Sequence, residues 1–305
     1  MARYQQTYEY HRAVIHPPQF EPQHYKYLDL RPASGALGAE LFGLDLNTLS
    51  EPAFRELEAA LVDHIVLFIR DQALSPQALR DFGARLGTLV RYPTSEPMSG
   101  YPEITEFRST PDTVFNFGGP WHTDSMFLER PPKFTILHNT ECPKVGGDTS
   151  FTNLYLAWDT LPEELRDKVD GKLAINSSAL AYVGLPKGPD RDKVPVKYQP
   201  ASSEAWQREV AHPVARTHPE TRRKALYVSH SYTARFSDMT QAESLPIIKQ
   251  LHDHAVQPNF TCRFRWQEGT LAIWDNRCCM HFPHNDYAGQ VRAMRRVIVE
   301  GERPV

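Results

Sequence analysis

The chain has no apolar run approaching the roughly 20 residues that would span a bilayer. Its first residues, MARYQQTYEYHR, have no apolar core of the kind a secretion signal carries. Cysteine is scarce as well: Cys142, Cys262, Cys278 and Cys279 are too few and too clustered for a disulfide framework, and no C-x-x-C occurs. A reducing, cytoplasmic setting is the expectation. Excess charge of either sign is also missing, since 34 basic and 37 acidic residues leave a formal −3. That balance gives no electrostatic case for nucleic acid or an anionic membrane as a partner. Glycines number 16 against 25 prolines. Prolines stiffen connections and break long helices, which argues against a helical bundle. There is no internal repeat and no low-complexity tract.

What is present suits a soluble globular protein: 305 residues, 41 % hydrophobic and 23 % charged, enough to bury a substantial core. Residues 1–27 are polar, aromatic and proline-containing, and they read as an irregular arm and an oligomer contact; a homo-oligomer is expected. Residues 28–305 read as a single domain. "YLDLRPASGALGAELFGLDL" splits into two short apolar runs, a hairpin signal. "SEPAFRELEAALVDH" and "SPQALRDFGARLG" each open on a Ser cap beside a Pro and then show helical apolar spacing. "IVLFIRD", "FTILHNTE", "DTSFTNL", "KALYV", "FTCRFRW", "TLAIWDN" and "AMRRVIVEG" read as strands. The expected architecture is mainly β with flanking helices: two packed sheets forming a double-stranded β-helix (jelly roll, cupin-like core). Residues 157–257 read as an insertion that mixes helical patterns with the stretch "VGLPKGPDRDKVPVKYQPASSE", about residues 183–204. Rich in charge and poor in apolar residues, that stretch is expected to act as a lid, though a merely solvated insertion would read the same way.

In "PWHTDSMF", His122 and Asp124 stand two apart. Alternation along a strand would put both on one face and turn Thr123 outward. Two histidines and one carboxylate with open positions are the pattern of non-haem Fe(II) oxygenases; H-x-D alone is equally compatible with a polar patch on a strand. "LAIWDNRCCMHFPHNDYAGQVRAMRRVIVEG" offers the missing partner in His281. It also offers Arg296, which shares a strand face with Arg292, Met294 and Ile298. An inward guanidinium is costly unless an anion meets it, and its planar fork suits a carboxylate. A surface arginine in a basic run is the other reading.

Several segments in register resemble the taurine dioxygenase and 2,4-dichlorophenoxyacetate dioxygenase family of Fe(II)/2-oxoglutarate enzymes. They are "WHTDSMFLERPP", "GGDTSF", "HPVARTHPETRRKALYV" and "WDNRCCMH", and the resemblance runs from about residue 28 to the C-terminus. It implies His122, Asp124 and His281 as iron ligands, with 2-oxoglutarate and O2 as cosubstrates and succinate and CO2 as products. It implies Thr149 as a hydrogen-bond partner of a 2-oxoglutarate carboxylate, Arg296 as partner of the distal carboxylate and Arg292 near the C1 end. Trp274 would wall the pocket. For Thr149 turn chemistry, and for Trp274 simple core packing, would account for the residue equally. His284, His218, Pro219 and Arg216 are expected to brace loops and fold. With Asp124 in place, oxygenation is expected over halogenation, which uses a vacant carboxylate position for halide.

The resemblance also bears on substrate. Tyr92 and Gly118 stand where the taurine enzyme has polar pocket residues, which turns the reading away from taurine. "FTCRFRW" and "DYAGQVRAMRR" resemble the aryloxyalkanoate branch. Met126 and Phe127, with Tyr92 and Gly118, are the candidate substrate contacts, and Arg292, Lys187 or other lid lysines would neutralise an anion. The expected substrate is a small organic anion of aryloxyalkanoate, sulfonate or sulfate-ester type, hydroxylated at a C–H next to a heteroatom. Two alternatives stand: an amino-acid-like or secondary-metabolite substrate on the same fold, and a structural zinc site built from Cys278, Cys279, His281 and His284.

Overall fold

The computed structural model describes residues 25–92, 95–113, 119–181 (backbone only at 180 and 181) and 209–305. Residues 1–24 of the N-terminal arm, Gly118, and the whole 183–204 stretch with Lys187 lie outside the described residues.

The chain runs β1 (Asp29–Pro32), β2 (Ala39–Phe42), α1 (Glu51–His64), β3 (Val66–Ile69), α2 (Pro76–Arg85), β4 (Leu89–Val90), β5 (Thr105–Ser109) and β6 (Phe134–Glu141). Then come β7 (Thr149–Asn153), α3 (Leu154–Asp159), α4 (Glu163–Val169), β8 (Leu173–Ser177), α5 (Ser178–Ala181), β9 (Glu209–Pro213), β10 (Ala215–Thr217), β11 (Lys224–Leu226) and β12 (Thr233–Phe236). α6 (Gln241–Ala255), β13 (Thr261–Phe264), β14 (Leu271–Asp275), β15 (Cys279–Pro283) and β16 (Arg292–Val299) close the chain.

Eight strands form the main sheet in the order β1-β2-β3-β14-β6-β16-β4, with β5 also on β16. A three-stranded sheet, β13-β7-β15, is the second wall of a jelly roll, and β12-β8-β9 and β10-β11 are smaller sheets. Strand alternation assigns the two faces of the main sheet to different layers. Leu67, Ile69, Phe134, Ile136, Leu271, Ile273, Val297 and Val299 point outward into a core shared with Phe54, Leu57 and Leu61 of α1 and Leu79 and Phe82 of α2. Val66, Phe68, Ala272, Trp274 and Met294 point inward, into the core between the sheets.

Both outer helices begin as their sequences require: Ser50 accepts from Ala53 N and Ser75 from Ala78 N, each with Pro in the first turn. The β7–α3 junction departs from the expected strand-only reading. β7 stops at Asn153, whose side chain caps α3 by accepting from Tyr155 N and Leu156 N. α3 is buried almost all round, so it carries no amphipathic period to read. The insertion likewise holds more strand than expected, because β8, β9 and β12 are short and partly polar.

Candidate active site

β14 ends at Asp275, and the turn behind it leads into β15. Inner-sheet register sets His281 opposite Phe151 of β7. The loop before β6 approaches from the other side through an isolated antiparallel bridge: His122 N donates to His281 O at 3.1 Å and His281 N donates to His122 O at 2.9 Å. From this bridge the chain enters a turn in which Ser125 takes φ +51. The pair thus sits on a single bridge and a turn, not on a regular strand. Thr123 consequently does not face outward, as strand alternation had suggested. It is fully buried and donates to Cys279 O at 2.9 Å.

His122, Asp124 and His281 are buried and each offers one ligand atom, all within 4.8 Å of one another. His122 Nδ1 lies 2.8 Å from Pro120 O. A carbonyl only accepts, so Nδ1 carries the proton and Nε2 keeps its lone pair for an ion. That Nε2 is 3.7 Å from Asp124 Oδ1. The other carboxylate oxygen, Oδ2, accepts from Thr135 Oγ1 at 2.6 Å. Burial holds His122 below its ordinary pKa and takes His281 down to about 3, so both imidazoles are neutral near pH 7. Burial opposes ionisation of Asp124, but His281, Arg296, His122 and the Thr135 hydroxyl together hold its carboxyl below the usual value. Two neutral imidazoles and a carboxylate are the donor set of a non-haem ferrous site. His281 Nδ1 is buried without a hydrogen-bond partner, as a nitrogen reserved for another acceptor or an ion would be.

The two arginines have different surroundings. Arg296 sits at the ligands: Nη1 is 3.6 Å from Asp124 Oδ1, while its Nε and Nη2 are buried without hydrogen-bond partners. Its guanidinium lies 3.9 Å from the Tyr92 ring and 4.6 Å from the Phe107 ring, which fixes the fork in place. Arg292 lies instead in a second polar cluster, with its guanidinium carbon 5.7 Å from the Tyr287 ring and 6.0 Å from the Trp266 ring, and its Nε buried and unpartnered. Thr149 belongs to this cluster, because its hydroxyl oxygen accepts from Trp266 Nε1 at 2.9 Å. Its hydroxyl proton therefore remains to be donated. The glycine turn before it is obligatory: Gly146 has φ +85, and a Cβ there would meet Asp286 O at 2.4 Å.

Trp274 packs on His281 at 4.8 Å between ring centroids, so it walls the ligand ring. Phe127 touches Tyr232 at 5.4 Å, and Tyr232 lies 6.2 Å from His122. Met126 is fully buried in the same satellite cluster as Phe127, Tyr227 and Tyr232. Tyr232, Trp266, Thr135 and Asn276 are site neighbours that sequence reasoning missed. Asn276 stood in the quoted "WDN", and the other three carry no local pattern.

A second trio, His218, Asp275 and Cys278, also converges, but it is spoken for. Asp275 accepts from Arg277 Nε and Nη2 at 2.8 and 2.6 Å and from His218 Nε2 at 3.0 Å. His218 Nδ1 meanwhile accepts from Glu220 N and Thr221 N. This network braces the turn behind β14. The cysteine–zinc alternative lacks the geometry: among the described residues Cys278 converges with His218 and Asp275, not with Cys279, His281 and His284, and His284 is paired with Ser150 Oγ at 2.8 Å.

Comparison with known proteins gives a consistent picture. The family described as "Taurine catabolism dioxygenase TauD, TfdA family" matches residues 29–298. An alpha-ketoglutarate-dependent sulfate ester dioxygenase of Pseudomonas putida is 34 % identical over 284 residues, 92 % of each chain. An alkylsulfatase of Acinetobacter baylyi is 33 % identical, over 90 % of this chain and 86 % of that one. The crystal structure of a putative alpha-ketoglutarate-dependent taurine dioxygenase from Burkholderia xenovorans superimposes with a TM-score of 0.75 at 32 % identity, over 91 % of both chains.

Proposed function

We propose a substrate class on the premise that this chain belongs to the TauD, TfdA dioxygenase family. It is an Fe(II)- and 2-oxoglutarate-dependent dioxygenase, and its substrate is an alkyl sulfate ester or a closely related small organic anion. The observation that carries this reading is the buried His122–Asp124–His281 trio beside unpartnered guanidinium donors. The sulfate-ester class is supported by the two relatives that act on such esters by name.

His122, Asp124 and His281 would hold the iron. Bound there, iron(II) supplies the O2 chemistry that splits 2-oxoglutarate into succinate and CO2 and places one oxygen atom in a substrate C–H bond. Arg292 and the Thr149 hydroxyl take the distal carboxylate, since that cluster lies away from the ligands. Arg296, stacked between Tyr92 and Phe107, offers its two free donors to the anionic group at the metal end. The aromatic surfaces of Phe127 and Tyr232 exclude water from the reacting carbon. For R–CH2–O–SO3−, hydroxylation gives R–CH(OH)–O–SO3−. The C–O bond then breaks with loss of the hydroxyl proton, yielding an aldehyde and hydrogen sulfate.

Residues 28–305 act as the catalytic domain in this reading. No described helix is long and apolar enough to cross a membrane. The four free cysteines support a reducing, cytoplasmic setting, and the N-terminal arm is read as the contact of a homo-oligomer. The test is succinate release and O2 uptake across alkyl sulfates, sulfonates and aryloxyacids. Turnover with alkyl sulfates and equimolar sulfate release is expected, and preference for an aryloxyacid or a sulfonate would overturn the sulfate-ester assignment.

A further inference from the structure

Asp124 is held by a hydrogen-bond chain whose direction is set from one end to the other. Trp274 Nε1–H can only donate, and it donates to Asn276 Oδ1 at 3.0 Å. The same oxygen accepts from Asp124 N at 3.3 Å. With its oxygen so engaged, Asn276 must present Nδ2 to Thr135, and it donates to Thr135 Oγ1 at 2.8 Å. The Thr135 hydroxyl oxygen is thereby an acceptor, so its single proton goes to Asp124 Oδ2 at 2.6 Å. All four residues are at most 2 % exposed, so water cannot replace any link. The strands make this chain possible: Thr135 of β6 is the register partner of Trp274 of β14, which puts both on the inner face.

We propose that Thr135 and Asn276 are positioning residues that restrict Asp124 to ligation through one oxygen. Oδ2 is occupied by the Thr135 proton, and Oδ1 alone faces His122 Nε2 and Arg296 Nη1. A carboxylate free to ligate through both oxygens would occupy one of the positions that two histidines and one carboxylate leave open for cosubstrate. The inference rests on the iron site proposed above and adds what keeps that site open.

The test uses Mn(II) with the full-length protein. Oxygen-17 water broadening of the Mn(II) resonance reports how many solvent molecules the bound ion carries, and titration gives its Kd. Thr135→Val removes the proton donor at nearly constant shape. It should carry fewer exchangeable waters than wild type and shift the Kd about 10- to 100-fold. Thr135→Ser keeps the hydroxyl and should restore both. Asn276→Asp presents an acceptor to Thr135, draws its proton away from Asp124, and should resemble Thr135→Val. Unchanged water count and Kd in Thr135→Val, with a wild-type melting temperature, would overturn the proposal. Failure of the iron site itself looks different: His122→Ala would then bind Mn(II) as wild type does.

Discussion

Removing the Arg292 side chain separates the two arginines by function. The guanidinium has no carboxylate within ion-pair distance among the described residues, its Nε is buried and unpartnered, and Thr149 beside it keeps a hydroxyl proton to donate. If the distal carboxylate of 2-oxoglutarate completes this cluster, Arg292→Ala strands that carboxylate without its charged partner. Truncating one side of such a pair costs about 2–5 kcal/mol, or roughly 30-fold to several thousandfold in cosubstrate affinity. The expected result is a large rise in the KM for 2-oxoglutarate, matched by the Kd from anaerobic calorimetry with Mn(II). Arg296→Ala acts at the ligands and should depress kcat as well as affinity. Stability should move the other way, because burial penalises the Arg292 charge and no described carboxylate lies within ion-pair distance of it. Arg292→Met should therefore melt at or above the wild-type temperature in the absence of cosubstrate. A KM within threefold of wild type in Arg292→Ala, with the large rise appearing only in Arg296→Ala, would refute this assignment and restore the order expected from the sequence.

Asp124→Ala removes the carboxylate of the trio and should abolish coupled succinate formation along with tight Mn(II) binding; retained binding would show that the ion sits elsewhere. Arg277→Met leaves Asp275 buried without its guanidinium partner and should cost about 3–5 kcal/mol in urea denaturation; a loss below 1 kcal/mol would mean that the His218 hydrogen bond alone satisfies the carboxylate. His254 is held down to about 4 by burial, against a backbone bond to Ala157 O. The unfolded chain takes up this proton first, so the term is complete above about pH 6.5 and lost as pH falls toward 4, on the order of 3 kcal/mol. His254→Gln keeps a donor for Ala157 without the titration, and its melting temperature should fall less steeply than that of wild type across this window; parallel curves would remove the term.

Much of the fold could be read because its signals are local. Ser50 and Ser75 with their prolines announce α1 and α2, and apolar stretches announce β3, β14 and the first half of β6. α3 was not legible, since a helix buried on every side has no period to detect. The ligand trio could be found from residue type and the resemblance together, but its geometry could not: a bridge followed by a left-handed residue at Ser125 places His122 and Asp124 together as well as a strand would. The sequence could not order the two arginines along their strand, for a simple reason. Arg292 and Arg296 share a face of one strand, and alternation names the face without saying which end lies nearer the ion. The β-bulge at Ala293/Met294 adds a register shift that no pattern announces. Thr135 was hidden by its ordinariness, since its role depends on a cross-strand neighbour 139 positions away in the chain.

Alternation on the main sheet has a consequence for how this protein can change. Val297 and Val299 belong to the layer beneath the helices, while Arg296, next to Val297 in the chain, belongs to the pocket. The same division runs through β6, where Phe134 and Ile136 flank Thr135. Neighbouring codons thus report to separate selective pressures. Exchanges at inward positions can alter chemistry while the helix layer stays intact, and repacking beneath the helices can raise heat tolerance without visiting the pocket. A laboratory library restricted to one parity of these strands would keep foldability and catalysis as nearly independent variables.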